Sequence, residues 1–249
     1  MIWVTGASSG IGAAVAKKYY DSGAFVVLSS RSEADLQRVV STWDAERYLV
    51  APCDVTEVTQ CKEVVERIVS RWSRIDIALA NAGTYWPTPV ARFSSEDHEK
   101  IMSVNYGGVV NVVDAVLPQL VAQKDGVLAL MSSVIGYRGV PLASAYGASK
   151  AAVINFAESI RFELEPQNIY VSVINPGFVK TPLTDQNEFQ MPFLIEVDEA
   201  AEQILSGLRK RKREIHFPAR FSWFLKLMRV VPFSVYHALT SKTVKVPGA

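Results

Sequence analysis

The sequence predicts an α/β fold in which a doubly wound parallel sheet carries helices on both faces. Short apolar runs alternate with helical patterns in units of about 25 to 30 residues, which is typical of parallel sheets. A glycine-rich turn follows the first apolar run, and polar or turn residues end the later runs. A chain of 249 residues has a suitable length for one such domain, so we expect a single domain over residues 1–249.

The composition excludes several classes of protein. Hydrophobic residues make up 49% of the chain and charged residues 20%, which provides a large core and argues against disorder. The formal net charge is only +1, so no nucleic acid is expected as a partner. Cys53 and Cys61 lack metal-ligand spacing and the three histidines are scattered, so no metal is expected. Without a leader segment or a long apolar run, we expect a cytoplasmic protein with no membrane-spanning helix.

The first unit predicts a dinucleotide site. Residues 2–4 form an apolar strand, and a helix over residues 13–22 ends at Gly23, a favourable C-terminal cap. The turn between them, spaced G-x-x-x-G-x-G, contains Gly6, Ser8, Ser9, Gly10, Ile11 and Gly12. Backbone N–H groups at such a strand–turn–helix junction bind a pyrophosphate, so we interpret the sheet as Rossmann-like.

The same turn allows a second interpretation. Residues 6–10 match the G-x-S-x-G elbow that holds the nucleophile of α/β-hydrolases. That elbow needs earlier strands to supply an oxyanion-hole loop, and only five residues precede this one. A triad would also need an acid and a late histidine, for which His216 and His237 are weak candidates. We therefore disfavour a hydrolase.

The second strand indicates which dinucleotide is bound. Residues 25–30 are followed directly by Arg31, where an acid would bind a ribose hydroxyl and an arginine accommodates a 2′-phosphate. A guanidinium suits phosphate, so NADP is favoured over NAD. Glu33 is a counter-argument, but we place it in the first turn of the next helix, after a Ser32 cap.

Later strands and helices follow with the same alternation. We expect strands at residues 47–53, 75–80, 126–131 and 169–174, and helices at 56–73, 95–123, 144–165 and 198–208. Thr56 is the predicted cap of its helix, and the glycine pair at 107–108 predicts a kink or close approach around Asn105. Asp54 and Asn81 each follow a strand, so we expect them at the sheet edge where ligands bind.

A tyrosine and a lysine, Tyr146 and Lys150, lie four residues apart at the start of an alanine-rich helix. That spacing places a phenol and an ammonium one turn apart on one helical face. A cation beside a phenol lowers the phenol pKa, so we expect Tyr146 to exchange a proton with a carbonyl or alcohol near neutral pH. Ser133, after the strand at 126–131, could hydrogen-bond the same substrate oxygen.

With TGASSGIG at one end and Ser133, Tyr146 and Lys150 in the middle, the chain resembles the short-chain dehydrogenases/reductases over residues 1–182. The resemblance implies that the glycine turn holds the pyrophosphate and that Asp54 and Val55 contact adenine. It also places the adenosine ribose beside Asn81, Ala82 and Gly83. The nicotinamide amide would lie against a segment that includes Pro176, Gly177, Val179 and Thr181.

The family's catalytic tetrad maps onto Asn105, Ser133, Tyr146 and Lys150. Ser133 is preferred over Ser132 because it stands thirteen residues before Tyr146, as in the family. By resemblance, Tyr146 is the general acid or base, Lys150 binds the nicotinamide ribose and lowers the tyrosine pKa, Ser133 polarises the carbonyl, and Asn105 holds a water.

Two positions depart from the family pattern. Ala80 replaces the first asparagine of the common Asn-Asn-Ala-Gly, and Ser9 stands where some NADP enzymes carry a basic residue. Phosphate selectivity therefore depends on Arg31 and Ser32, which gives NADP(H) as the preferred cofactor and NAD(H) as the alternative.

Residues 182–249 are interpreted as a substrate loop and a variable C-terminal region of the same domain. Apolar residues suggest a pocket for a hydrophobic carbonyl or alcohol; the candidates are Tyr85, Trp86, Val134, Ile135, Tyr137, Phe178, Phe189, Met191, Phe193 and Leu194. A basic run at 209–213 precedes an amphipathic helix with Phe221, Phe224, Leu225 and Met228 on one face and Ser222, Lys226 and Arg229 on the other. Packing on its own domain or on a partner subunit is favoured for this helix over peripheral membrane contact.

These observations predict an NADP-dependent oxidoreductase that acts on a small carbonyl or alcohol, as a homodimer or homotetramer. The alternative is a non-catalytic dinucleotide sensor or scaffold of the same fold. Ser133, Tyr146 and Lys150 together argue against it, because a sensor has no need for a proton donor.

Overall fold

The computed structural model of the chain describes residues 1–185 and 191–243. Its strands are β1 (Ile2–Thr5), β2 (Val26–Ser29), β3 (Tyr48–Val50), β4 (Ile77–Ala80), β5 (Gly126–Met131), β6 (Ile169–Pro176) and β7 (Glu214–Phe217). They form one sheet in the order β3-β2-β1-β4-β5-β6-β7, and every neighbouring pair is parallel. The predicted Rossmann-like α/β fold is confirmed.

The helices cover both faces of this sheet. They are α1 (Gly10–Asp21), α2 (Glu33–Val39), α3 (Val58–Trp72), α4 (Ser95–Met102), α5 (Gly108–Gln123), α6 (Ser144–Leu164), α7 (Val197–Arg209), α8 (Ala219–Val230) and α9 (Phe233–Thr243). Successive strand residues point to opposite faces, so Trp3 packs with α3, α5 and α6, while Ile2 and Val4 pack with α1, α2 and α7.

The strand order reverses at β1. From β1 the chain builds outwards to β2 and β3, then returns to β4 on the other side and continues to β7. The helices that follow β1 and β4 diverge there and leave a crevice at the carboxyl ends of the strands, where ligands bind in such sheets.

Several element boundaries differ from the predicted ones. Helix α1 begins at Gly10, so two glycines of the turn belong to its first residues. The predicted Thr56 cap is wrong: Glu57 precedes α3, and the Thr56 hydroxyl donates to Asp54 instead. Strand β3 ends at Val50, before the predicted end at residue 53, although the Cys53 amide still donates to the Ser30 carbonyl.

The predicted kink around Asn105 is confirmed. A π-helical turn, Ser103–Gly107, separates α4 from α5. A methyl group on Gly108 would lie 2.6 Å from Cγ2 of Val55, so the glycine allows the helix to approach the loop after β3.

By length and composition, the helical segment Ser95–Gln123 could cross a membrane, and it is the one such segment in the part of the chain that the structure describes. The expectation of no such helix came from uninterrupted apolar runs and overlooked a segment whose polar residues are spread thinly. Its buried side chains, including Val112, Val116 and Leu120, pack with α3 and the sheet. It is a core helix of this fold.

The region after residue 209 differs most from the predictions. Strand β7 was not predicted, because it has four residues and follows a charged run. Helix α8 was predicted, and Phe221 and Leu225 of its apolar face pack against the core as expected. Ser222 of the predicted polar face is also fully buried, however, and Phe224 is 54% exposed. The reason is Glu214 on β7, whose Oε2 accepts a hydrogen bond of 2.6 Å from Lys226 Nζ and so turns the Lys226 face inward.

Candidate active site

A cleft of about 1040 Å3 lies at the carboxyl ends of the strands. Its lining includes every residue predicted to bind the cofactor, as well as Ser133. These residues are Gly6, Ser8, Ser9, Gly10, Ile11, Gly12, Arg31, Asp54, Val55, Asn81, Ala82, Gly83, Tyr146, Lys150, Pro176, Gly177, Val179 and Thr181. Loops that are far apart in the sequence therefore meet at one site, as the strand order requires.

The glycine turn has the close backbone packing that its sequence predicts. Gly6 and Gly10 have φ values of +64° and +53°, which favour glycine. A methyl group on Gly12 would lie 2.3 Å from the Gly6 carbonyl oxygen. Ser9 precedes α1 but its side chain does not cap the helix, so the first N–H groups of α1 can bind an anion.

Asn81 connects β4 to the glycine turn across the point where the strand order reverses. Its side-chain amide donates to the carbonyl oxygens of Thr5 and Gly6, at 2.9 and 3.2 Å. The Thr5 hydroxyl accepts hydrogen bonds from the amides of Asn81 and Ala82, at 3.0 and 3.1 Å. The sequence argument missed Thr5, because a threonine at a strand end carries no signal of its own.

The end of the cleft beside β2 carries Arg31, which is exposed. The predicted Ser32 cap is confirmed: its hydroxyl accepts a hydrogen bond from the Asp35 amide. Glu33 begins α2, as expected, but the cleft is lined by another carboxylate that the sequence argument overlooked, Asp35. Asp35 forms an ion pair with Arg38, which partly neutralises its charge.

At the centre of the cleft, the Ser133 hydroxyl lies beside Tyr146 and influences its pKa. The Ser133 hydroxyl also donates to the Pro176 carbonyl at 3.3 Å and accepts from the Ile135 amide at 3.2 Å. The neighbouring Ser132 hydroxyl donates to the Lys150 carbonyl at 2.7 Å. Ser133 therefore contacts the tyrosine, while Ser132 fixes the backbone of α6.

The expected lowering of the tyrosine pKa is wrong. Burial raises the pKa of Tyr146 to about 12, and the hydrogen bond to Ser133 only partly opposes this. Lys150 Nζ donates to the Met131 carbonyl at 2.9 Å and lies 5.7 Å from the centre of the Tyr146 ring. Burial also lowers the pKa of Lys150 to about 8. Tyr146 is therefore a neutral phenol near pH 7, in the form that donates a proton.

Asn105 does not line the cleft; it lies fully buried behind it. Its Oδ1 accepts a hydrogen bond of 2.7 Å from the Thr84 amide, and its Nδ2 donates to the Thr84 carbonyl and to Ser149 Oγ. A methyl group on Gly83 would lie 3.2 Å from Asn105 Oδ1 and 3.6 Å from Lys150 Nζ. Asn105 and Lys150 thus approach the same point beneath Gly83.

The segment after β6 is held on both sides. The Gly177 amide donates to the Phe217 carbonyl at 2.6 Å, and Val179 pairs with Ile195. The Thr181 amide donates to Thr184 Oγ1, a partner that the sequence argument missed. A methyl group on Gly10 would lie 3.2 Å from Thr181, so this segment closes over the glycine turn.

The hydrolase interpretation has no support in this geometry. Nδ1 of His216 is hydrogen-bonded to Ser222 at 2.6 Å, at the junction of β7 and α8, and not to Ser8 of the elbow-like turn.

Within residues 1–185 and 191–243, no group of three or more histidine, cysteine or acidic residues could hold a metal ion.

Comparison with known proteins decides the family. A family model described as short chain dehydrogenase matches residues 1–191. The chain belongs to the short-chain dehydrogenases. It is 35% identical over 237 residues to an uncharacterized oxidoreductase of Myxococcus xanthus, and the match covers 94% of both chains.

Two further comparisons agree. The chain is 37% identical over 185 residues to a 3-oxoacyl-(acyl-carrier-protein) reductase of Thermotoga maritima, covering 74% of this chain and 75% of the relative. In structure it is similar to an alcohol dehydrogenase of Thermococcus sibiricus in complex with 5-hydroxy-NADP. That pair has a TM-score of 0.78 and 23% identity over 87% of this chain and 94% of the other. This short-chain dehydrogenase is an NAD(P)-dependent oxidoreductase.

Aromatic side chains surround the catalytic end of the short-chain dehydrogenase cleft. The ring of Tyr85 meets Tyr146 edge-on, with 5.0 Å between ring centres, and Trp86 lines the cleft. Beyond Gly177, Phe221 of α8 stacks on Phe178 and on Phe193, at 5.8 Å in both pairs.

Not every predicted pocket residue lies in this wall. Val134 and Tyr137 belong to the core, and Tyr137 donates a hydrogen bond of 2.5 Å to Glu214. Phe189 lies outside the described residues. Aromatic type alone does not distinguish a pocket wall from a core, because both bury the same rings.

Proposed function

We propose that this short-chain dehydrogenase uses NADPH to reduce a hydrophobic ketone or aldehyde, with Tyr146 as the proton donor. The observation that carries the proposal is the position of Ser133 beside a half-buried, protonated Tyr146 in the cleft. A neutral phenol fits reduction, because the product alkoxide needs a proton.

The residues present fit a dinucleotide. The backbone cradle at Gly6 and Gly12 leaves no room for a side chain, and the N-terminus of α1 is free to bind the pyrophosphate. Asp54 Oδ1 accepts hydrogen bonds from the Thr56 amide and hydroxyl, which sets the turn that would face adenine. NADPH, when bound, supplies the hydride.

The chain's own residues supply placement and the proton. Ser133 is placed to donate a hydrogen bond to the substrate carbonyl oxygen, and Tyr146 to protonate it. Lys150, buried beside Tyr146, stabilises the tyrosinate that remains after the transfer. Asn105 Oδ1 and Lys150 Nζ both lie close to Gly83. We assign to Asn105 the role of holding a water that links Lys150 to solvent.

The preference for NADPH is supported by Arg31 at the end of β2. Its guanidinium can bind a 2′-phosphate with charge-assisted hydrogen bonds. Ser32 is exposed beside it, and the competing carboxylate, Asp35, is engaged by Arg38. The structural relative from Thermococcus sibiricus is itself in complex with 5-hydroxy-NADP.

The preference for a hydrophobic substrate is supported by the aromatic wall. Tyr85, Trp86 and Phe178 present rings near the catalytic end, and Phe193 of the loop is 55% exposed. Such a wall favours an apolar carbonyl compound over a phosphorylated one.

The test is a screen for NADPH oxidation over ketones, aldehydes, quinones and steroids, with NADH run in parallel. We expect turnover with apolar carbonyl compounds and weaker turnover with NADH. Tight NADPH binding without oxidation on any of these substrates would instead support the dinucleotide sensor or scaffold.

We also propose a homodimer or homotetramer. Phe162 on α6 is 84% exposed and Val121 on α5 is 40% exposed, which supports a contact through these helices. Analytical ultracentrifugation of the purified chain should give two or four times the monomer mass, and a monomer at high concentration would contradict the proposal.

A further inference from the structure

Large apolar side chains are concentrated on the outer surface of α8 and α9. We call this surface the apolar ridge; it consists of Trp223, Phe224, Leu227, Val230, Phe233 and Leu239. All six are more than half exposed, up to 77% for Val230. Single exposed apolar residues are ordinary, but six of them on two successive helices indicate an interaction surface.

Among the described residues, three ridge side chains on α8 stay more than half exposed, although the Trp223 ring meets His216 edge-on and lies beside Lys226. Trp223, Leu227 and Val230 follow the i, i+4, i+7 spacing of one side of α8. The adjacent side of α8 carries buried Ser222 and Lys226, which is bound to Glu214. The side of α8 that faces the protein is therefore already occupied, and the ridge faces solvent.

The two helices are held firmly against the body of the enzyme. Arg138 donates hydrogen bonds to the carbonyl oxygens of Met228 and Val231. The Tyr236 hydroxyl donates to the Gly139 carbonyl at 2.7 Å, and Arg138 lies over the Tyr236 ring. The ridge is thus preformed, so binding to it does not require the helices to be ordered first.

The two helices that carry the ridge contain lysine and arginine but no aspartate or glutamate. Residues 215–249 contain five lysines and arginines and no aspartate or glutamate, although the whole chain carries a net charge of only +1. On α8, Arg220 and Arg229 are exposed beside the ridge. The basic run at 209–213 contributes less, because Arg211 and Arg213 are paired with Asp125 and Glu165.

We propose that the apolar ridge docks on the surface of an anionic lipid bilayer. A bilayer surface offers an apolar interior to the ridge and anionic head groups to Arg220 and Arg229. A second copy of this chain fits less well, because a two-fold contact would bring the same cations together without a carboxylate to pair them. The docking surface does not depend on the proposed reaction.

Docking would also bring the substrate end of the cleft to the bilayer. Phe221, on the inner side of α8, lies against Phe178 and Gly177 at that end. If the proposed function holds, the hydrophobic carbonyl substrate can then enter from the lipid phase.

The test is co-sedimentation of the full chain with vesicles of phosphatidylcholine alone or mixed with phosphatidylserine. We expect binding to the mixed vesicles at low salt and little binding to pure phosphatidylcholine. Arg220→Gln and Arg229→Gln should each weaken binding about fivefold, from about 1 kcal/mol per cation near the surface.

A matched pair of variants separates the ridge from a general surface effect. Leu227→Glu should weaken vesicle binding at least about tenfold, because it places a carboxylate on the face of α8 that would enter the bilayer. Val90→Glu makes the same kind of change at a side chain that is 81% exposed outside α8 and α9, and should bind as the parent does.

Fluorescence of the unmodified chain gives a readout that does not depend on the folding of a variant. Adding mixed vesicles should shift tryptophan emission to shorter wavelength, and Trp223→Phe should remove that shift while sedimentation remains. The proposal is overturned if the chain does not sediment at low salt, or if Leu227→Glu binds as tightly as Val90→Glu. It is also overturned if Leu227→Glu only dissociates a dimer, since a second copy would then occupy the ridge.

Discussion

The cofactor region, residues 1–182, and the region after residue 182 are built on different principles. In the cofactor region, backbone atoms form most of the site: Gly6 and Gly12 leave no space for a side chain, and Asn81 binds main-chain carbonyls. In the later region, side chains form the structure, through the Glu214–Lys226 pair and the stacked ring of Phe221. We therefore expect the first region to tolerate few changes and the second to accept changes without loss of cofactor binding.

The largest effect is expected from a single methyl group added to the backbone cradle of the cofactor region. Gly12→Ala should reduce NADPH affinity at least about a hundredfold, because the new carbon would lie 2.3 Å from the Gly6 carbonyl oxygen and displace the turn. Gly139→Ala is the control, since nothing lies within 4 Å of that position. Fluorescence titration with NADPH measures both, and an unchanged affinity in Gly12→Ala would refute the cradle.

Arg31→Ala should reduce the preference for NADPH over NADH by about ten- to a hundredfold, because the 2′-phosphate would lose charge-assisted hydrogen bonds worth that factor in affinity. The loss should appear in NADPH affinity, with NADH affinity nearly unchanged. Arg92→Ala, another exposed arginine outside the cleft, serves as the control. Equal affinities for the two cofactors in the parent protein would remove the basis for the NADP assignment.

The pH dependence of carbonyl reduction should follow Lys150. Its pKa is lowered to about 8 by burial, so the ammonium is present below about pH 8 and lost above it. Tyr146 remains protonated throughout, because burial raises its pKa to about 12. We expect kcat/KM for reduction to be level near neutral pH and to fall above about pH 8. A profile that rises through pH 8 would contradict this assignment.

The smallest expected effect lies in the later region. Glu214→Gln should lower the free energy of unfolding by about 1 to 2 kcal/mol, because the pair with Lys226 is only partly shielded from water. It should raise the KM for the carbonyl substrate severalfold and leave NADPH affinity unchanged, since the partners of Glu214 are Lys226, Tyr137 and Asn175 and none of them belongs to the glycine turn. Glu66→Gln, at an exposed position on α3, is the control. A matching loss of NADPH affinity would show that the two regions are not separable.

The backbone geometry of the glycine turn follows from the sequence because its requirements are local. A left-handed φ at Gly6 and a close approach at Gly12 both require glycine, so the residue type itself indicates the backbone conformation. The neighbouring glycine pair also predicted a kink or close approach around Asn105, where the structure has a π-helical turn.

Predictions failed where the outcome depended on tertiary surroundings. The predicted faces of α8 were right for Phe221 and Leu225 but wrong for Lys226, which turns inward because Glu214, on an unpredicted strand, pairs with it. The pKa of Tyr146 was wrong in direction because spacing shows a nearby lysine but not the burial that outweighs it. Thr56 was predicted to cap α3, but its hydroxyl donates a hydrogen bond to Asp54 instead.

The most direct test of the account is to compare turnover with cofactor binding in Tyr146→Phe. Removal of one oxygen atom should reduce turnover by about 10² to 10⁴-fold, the usual contribution of a positioned proton donor. NADPH affinity should remain within about twofold, since the backbone cradle is untouched. Tyr48→Phe, on β3 and outside the cleft, should leave both quantities unchanged. Full turnover in Tyr146→Phe would contradict the central claim that Tyr146 donates the proton.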